Sequence, residues 1–132
     1  MCKTIKHKVK FSAPPQTIYN LLADSGKHSA VTGRKANISK KIGGTFSTNA
    51  GEVTGINVDL VPGKRIVQAW RHDTFPEGIF SMATFTLSAT PGGGTGLVLT
   101  HRGVPKDLIP RTEEEWRERY WKRIKAYVAG GL

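Results

Sequence analysis

The sequence predicts an α+β domain in which a curved antiparallel sheet of about seven strands wraps a long C-terminal helix. Three observations carry this reading. From Arg34 to Arg102, short segments of strand-like residues are separated by turn residues rather than by helices of crossover length, which calls for antiparallel neighbours. The C-terminal segment instead repeats apolar residues at three- and four-residue steps. The 132 residues, 38% hydrophobic and 23% charged, suit one domain (1–132) with a core of its own.

The first strand spans Ile5 to Phe11, where Ile5, His7, Val9 and Phe11 alternate with Lys6, Lys8 and Lys10. Lysines on the wet face of an outer strand discourage edge-to-edge aggregation. Ser12-Ala13-Pro14-Pro15 opens a first helix, because the fixed φ of proline suits a first turn. Ile18, Leu21 and Leu22 give that helix an apolar stripe, and Asp24-Ser25-Gly26 ends it. A further helical turn is expected between Lys27 and Gly33.

Strands follow over Ala36–Lys40, Thr45–Thr48, Val53–Val61, Ile66–Arg71, Ile79–Thr90 and Thr95–Arg102. The breaks between them are Gly43-Gly44, Asn49-Ala50-Gly51, Pro62-Gly63, the loop His72–Gly78 and Gly92-Gly93-Gly94. Pro62-Gly63 has the chemistry of a type II turn, with proline first and glycine supplying the positive φ. Thr112-Glu113-Glu114-Glu115 reads as a capping box opening a helix over 112–129, roughly 27 Å long at 1.5 Å per residue. Trp116, Tyr120, Ile124, Tyr127 and Val128 form its apolar stripe, acids crowd its first turn, and Lys122, Arg123 and Lys125 lie toward its end, as the helix dipole prefers.

Several ordered motifs resemble one family. They are Gly43-Gly44-x-Phe46, Gly51-x-Val53-x-Gly55, Asp59-Leu60-Val61-Pro62-Gly63-Lys64-Arg65-Ile66-Val67-x-x-Trp70-Arg71, Phe75-Pro76-Glu77-Gly78, Gly103-Val104-Pro105 and Trp116-x-x-x-Tyr120-Trp121-x-x-Ile124-Lys125. Ser12-Ala13-Pro14-Pro15-x-x-Ile18-Tyr19 and Thr32-Gly33 extend the likeness toward the N-terminus. The chain thus resembles the C-terminal domain of the activator of the heat-shock protein 90 ATPase, in the START-like, polyketide-cyclase-like superfamily. The resemblance implies the helix-grip (START-like) fold and a heat-shock protein 90 class chaperone as partner. One departure is Phe75, where the family commonly has Trp. A second concerns scale: the full activator carries an additional N-terminal domain, so its ATPase stimulation does not carry over with the fold.

Side-chain alternation sorts the concave face. Ile66 and Trp70 bring Gln68 inward, Leu97 and Leu99 bring His101, and Phe85 and Leu87 bring Ser81 and Ala83. With Ile56, Val58 and Leu60 assigned to one inward face, the expected pocket comprises Phe46, Val58, Leu60, Gln68, Trp70, Ser81, Ala83, Phe85, Leu99, His101, Trp116, Tyr120 and Ile124. An apolar chamber with a few polar groups suits a small hydrophobic ligand. A cyclase- or hydratase-like enzyme is the alternative, with His101 and Ser81 as weak catalytic candidates.

Other chemistry has little footing. There is no G-x-S-x-G elbow and no H-E-x-x-H, and His7, His28, His72 and His101 are scattered, so no metal or cofactor is expected. Cys2 is the only cysteine, which excludes an intrachain disulfide and suits the cytoplasm. No apolar run approaches the roughly 20 residues of a membrane span, and the polar, basic start does not look like a secretory signal. The unusual bulk property is charge, 20 Lys and Arg against 10 Asp and Glu, or +10. Such a surface favours polyanions. Nucleic acid is the weaker partner reading, because the aromatic-bearing sheet face should lie under the helix. Lys64, Arg65, Arg117 and Lys122 are the expected contacts to an acidic protein.

Overall fold

The computed structural model describes residues 4–130. Its elements are β1 (Ile5–Phe11), α1 (Pro15–Ala23), α2 (Ser25–Thr32), β2 (Asn37–Ile38), β3 (Thr45–Thr48), β4 (Val53–Val61), β5 (Arg65–His72), β6 (Ser81–Ala89) and β7 (Thr95–Arg102). A continuous C-terminal helix closes the chain, built of α3 (Ile109–Glu115), a π-helical segment (Trp116–Trp121) and α4 (Lys122–Gly130). All seven strands belong to one antiparallel sheet ordered β1-β7-β6-β5-β4-β3-β2. Every neighbour except β1–β7 is consecutive in sequence, as hairpin turns require, so β1 joins by pairing with the last strand. The sheet is curved, α+β in class, with the C-terminal helix in its concavity and α1 and α2 packed alongside.

Turn chemistry accounts for most boundaries. Pro14 precedes α1, which begins at Pro15. Asp24 ends α1 and caps α2, its carboxylate accepting from the Lys27 amide at 3.0 Å. Gly33 closes α2 in the left-handed conformation, φ +74°. The Lys64 amide donates to the Val61 carbonyl across Pro62-Gly63, and Gly63 has φ +73°, the geometry of a type II turn.

Two expectations are corrected. First, β4 does not keep one phase. Val53, Gly55 and Asn57 face inward, while Ile56 and Val58 are 43% and 45% exposed. A β-bulge between Asn57 and Asp59 adds Val58 as an extra residue, after which Leu60 faces inward opposite Ile66. A single inserted residue inverts the faces of a strand, so Ile56, Val58 and Leu60 do not share one. Val58 is therefore not a concave-face residue, and Leu60 is half-buried.

Second, Thr112 is not the helix cap. The helix starts at Ile109, after a 3₁₀ turn at Lys106–Leu108, with Pro110 in its first turn. Thr112 is buried inside it and its hydroxyl donates to the Leu108 carbonyl at 2.7 Å, four residues back. Glu113 and Glu115, freed from capping, reach instead to His7 of β1 and to Asn49 of the β3–β4 turn.

Candidate functional site

The concave face is built from β1, β7, β6 and β5 below and the C-terminal helix above. The π-helical segment decides how they meet. In an α-helix, residues five apart point well away from each other; wider π turns bring them nearly into line. Trp116 and Trp121 accordingly stack, with centroids 5.6 Å apart and planes 15° from parallel. Both indoles descend onto the sheet, where each N–H finds a histidine. Trp116 Nε1 donates to His101 Nδ1 at 3.1 Å, and Trp121 Nε1 donates to His7 Nδ1 at 2.9 Å. The apolar stripe read from the sequence omitted Trp121, because a 3.6-residue period does not place it beside Trp116.

Hydrogen-bond direction settles what the buried polar groups can do. An indole only donates, so His101 Nδ1 accepts and its Nε2 carries the proton. That proton is directed at Ser81 Oγ, 2.7 Å away, and Ser81 Oγ donates in turn to the Trp70 carbonyl at 3.1 Å. The chain runs Trp116, His101, Ser81, Trp70, with each donor used. An imidazole acting as general base needs a free lone pair facing the hydroxyl, and here it presents N–H. Burial pushes the His101 pKa down to about 3, with His7 adding a smaller effect in the same direction. His101 and Ser81 thus act as a structural relay joining helix, β6 and β7.

Among the described residues, helix and sheet meet in a packed core rather than across a roomy chamber. Phe46, Trp70, Ala83, Phe85, Leu99, Trp116, Tyr120 and Ile124 are buried against one another. Gln68 is buried too, its amide 3.5 Å from Asn57 Oδ1. The gap among Leu22, His28, Phe46, Thr48, Gln68, Phe85 and Tyr120 measures about 10 Å³, the space of roughly one water. Four aromatic rings (Trp70, Phe85, Trp116, Trp121) fill the volume that alternation alone left open. Tyr120 contacts Thr48 through its hydroxyl at 3.3 Å, and burial pushes its pKa up to about 12. A larger cleft of about 360 Å³ lies elsewhere, between α1 and the β4–β5 turn, lined by Tyr19, Leu60, Lys27, Lys40 and Asp24 among others.

One cluster was invisible in the sequence because its members come from three separate elements. Glu52, His72 and Glu115 place ligand-type atoms within 4.8 Å of one another. Asn49 Nδ2 donates to Glu52 Oε1 at 2.9 Å and to Glu115 Oε2 at 2.8 Å, and Arg34 pairs with Glu52 at 3.2 Å. With its carboxylates already served by donors, the cluster works as a clasp tying the β3–β4 turn to the helix.

The expected cationic residues fall in two places. Arg117 and Lys122 line a groove of about 390 Å³ with Lys8, Lys125 and Trp121, where the helix meets β1. Lys6 and Lys10 flank Lys8 on the same exposed face of β1. Among the described residues, only Lys122 of these six has an ion-pair partner, Glu118 at 3.5 Å. Lys64 and Arg65 stand at the β4–β5 turn, and Arg65 is bound to Asp59 at 2.6 Å. Arg65 lies on the cross-strand row of Lys8, Val98 and Thr86, three strands from Lys8. Cys2 falls outside the described residues. Among those residues no helix is long and apolar enough to cross a membrane.

Known proteins resemble this chain throughout its length. It is 34% identical over 123 residues to an activator of 90 kDa heat shock protein ATPase homolog from Dictyostelium discoideum, covering 93% of this chain and 32% of that protein. It is 35% identical over 124 residues to activator of 90 kDa heat shock protein ATPase homolog 1 from Homo sapiens, covering 94% of this chain and 36% of that protein. The chain therefore spans about a third of these relatives. Among solved structures, an HSP90 activator from Plasmodium falciparum superimposes with a TM-score of 0.88 at 21% identity, covering 97% of this chain and 96% of that one. An Aha1 dimer from Colwellia psychrerythraea gives a TM-score of 0.80 at 18% identity, covering 96% of each chain. At these identities the structures speak for the fold. Residues 12–129 match the family described as Activator of Hsp90 ATPase homolog 1-like protein, and the chain belongs to that family.

Proposed function

We propose that this chain is a non-enzymatic binding domain that regulates a heat-shock protein 90 class chaperone by docking on an acidic surface of it. The observation that carries the reading is the cationic groove where Lys8, Arg117, Lys122 and Lys125 converge. Lys6 and Lys10 extend it, and among the described residues Glu118 is the only acid lining it. Cations in such excess around a groove steer an acidic protein partner and set its register. Names of the curated relatives, activators of a 90 kDa heat shock protein ATPase, supply the partner class.

The direction of the Trp116–His101–Ser81 relay favours this over catalysis. The filled concave face favours it over a small ligand held under the helix. The test is titration of purified 90 kDa heat-shock chaperone with the wild-type chain and with Lys8→Glu/Arg117→Glu/Lys122→Glu. The wild type should bind, weaken with salt, and alter chaperone ATPase rate; the triple variant should bind at least tenfold less tightly. Equal affinity of the two chains, or binding of an oligonucleotide in place of the chaperone, would remove the reading.

A further inference from the structure

Of the large hydrophobic side chains exposed among the described residues, three stand on the outer face of β4 and β6 and three in the β2–β3 and β5–β6 loops. They are Ile42, Ile56, Val58, Ile79, Phe80 and Met82, between 40% and 62% exposed. Single exposed apolar residues are ordinary, but a row of them across neighbouring strands is not. Strand register makes several of them continuous. On the outer face Met82 sits opposite Ala69, and Ala69 opposite Ile56, so one apolar row crosses β6, β5 and β4. The bulge adds Val58 at its side.

The loop beyond β5 supplies Phe80 by construction rather than by fraying. Arg71, on the outer face of β5, donates to the carbonyls of Phe75, Pro76 and Ile79 at 3.2, 2.7 and 3.3 Å. Phe75 itself is buried with its ring 5.7 Å from Trp70, which pins the loop from below. Phe80 is thereby left standing over an open groove of about 420 Å³, lined also by Ile56, Thr45, Thr54 and Gly55.

Charge chooses the occupant. The apolar row ends at Arg102, opposite Met82, and the next row begins at Lys6. Among the described strands Asp59 is the only carboxylate, and Arg65 neutralises it; of the acids in the adjoining turns and loop, Glu52 is paired with Arg34, and Asp73 and Glu77 stand in the β5–β6 loop. A second copy of this chain would set these cations against their own kind. A flat bilayer would leave the groove unfilled, and a nucleic acid would gain nothing from the aliphatic row. A protein with a bulky apolar side chain ringed by carboxylates answers both the groove and the charge.

We infer that the outer sheet face, centred on Ile56, Phe80 and Met82, is a second docking surface, taking an apolar side chain of a partner whose flanks are acidic. The inference rests on the chaperone-regulator reading for the identity of the partner, but not for the chemistry of the face.

The experiment compares wild type with Phe80→Ser/Met82→Ser, checked first for an unchanged melt. The first probe is a synthetic peptide with a Leu-Trp core flanked by Asp and Glu, followed by NMR shifts and calorimetry. Wild type should bind it with shifts on β4–β6, the double variant at least tenfold more weakly, and a Lys-flanked version of the peptide should not bind. No binding, equal binding by the variant, or a variant-sensitive response to anionic vesicles, oligonucleotide or self-association in place of the peptide would overturn the inference. The second probe is the purified 90 kDa chaperone. If wild type and variant bind it equally, this face is wrong while the regulator reading stands. If neither binds it but the peptide result holds, the face stands and the regulator reading falls.

Discussion

The two faces of the same sheet are put to opposite uses. Inside, every strand from β5 to β7 contributes alternate residues to an aromatic-rich core in which Trp116, His101, Ser81 and the Trp70 carbonyl are matched donor to acceptor. Outside, β4 to β6 present an apolar row, and β1 and β7 present Lys6, Lys8, Lys10 and Arg102, which have no ion-pair partner among the described residues. The contrast teaches that the concave face, which looks like a binding site because it mixes apolar and polar groups, is where this domain is held together. The outer surfaces are where its exposed apolar row and its unpaired cations stand.

Substitutions sharpen that contrast by size of effect. Trp116→Ala should be the most damaging, about 3–5 kcal/mol of unfolding free energy, since it removes a fully buried ring and the donor to His101. Ile124→Ala should cost roughly 2–5 kcal/mol through a cavity alone. Both are read by urea denaturation, and unchanged midpoints would break the interior half of the comparison. On the outer face, Met82→Ser should move stability by no more than about 0.5 kcal/mol, as surface changes usually do.

Acid gives an intermediate effect with a defined sign. Burial lowers the pKa of His7, His28 and His101 below 6.5, that of His101 to about 3. Folding favours the neutral form of each, so they bind protons more readily once unfolded; stability is full above about pH 6.5 and falls as pH drops below it. For His101 the fall continues toward pH 3. Each such group contributes a slope of at most about 1.4 kcal/mol per pH unit. Urea midpoints at pH 7.5 and 5.0 should differ accordingly, and His101→Gln should flatten the dependence. A midpoint that rises on acidification would contradict the neutral, acceptor role given to the Nδ1 atoms of His7 and His101.

Much of this was legible in the residues. Strict alternation placed Gln68, Trp70, Ser81, Ala83, Phe85, Leu99 and His101 on the buried face, because each strand holding them is regular throughout. It failed at Val58, where a bulge leaves no mark in residue type, and at Trp121, where the helix period changes. Thr112 misled because a buried threonine inside a helix and an N-cap threonine look alike in sequence. The clasp of Asn49, Glu52, His72 and Glu115 was out of reach, since its members span 67 positions from first to last and meet only once the helix has docked. Outward residues such as Met82 were implied by the same alternation that placed Ser81 and Ala83, yet carried no pattern of their own.

Methyl NMR on a chain labelled at Ile, Leu, Val and Met, titrated with the 90 kDa heat-shock chaperone, compares the two faces in one sample. Ile56, Val58 and Met82 should shift or broaden, while Ile66, Leu87 and Leu99 stay in place. Perturbation of the inner methyls with the outer ones unmoved would contradict the division of labour between the faces.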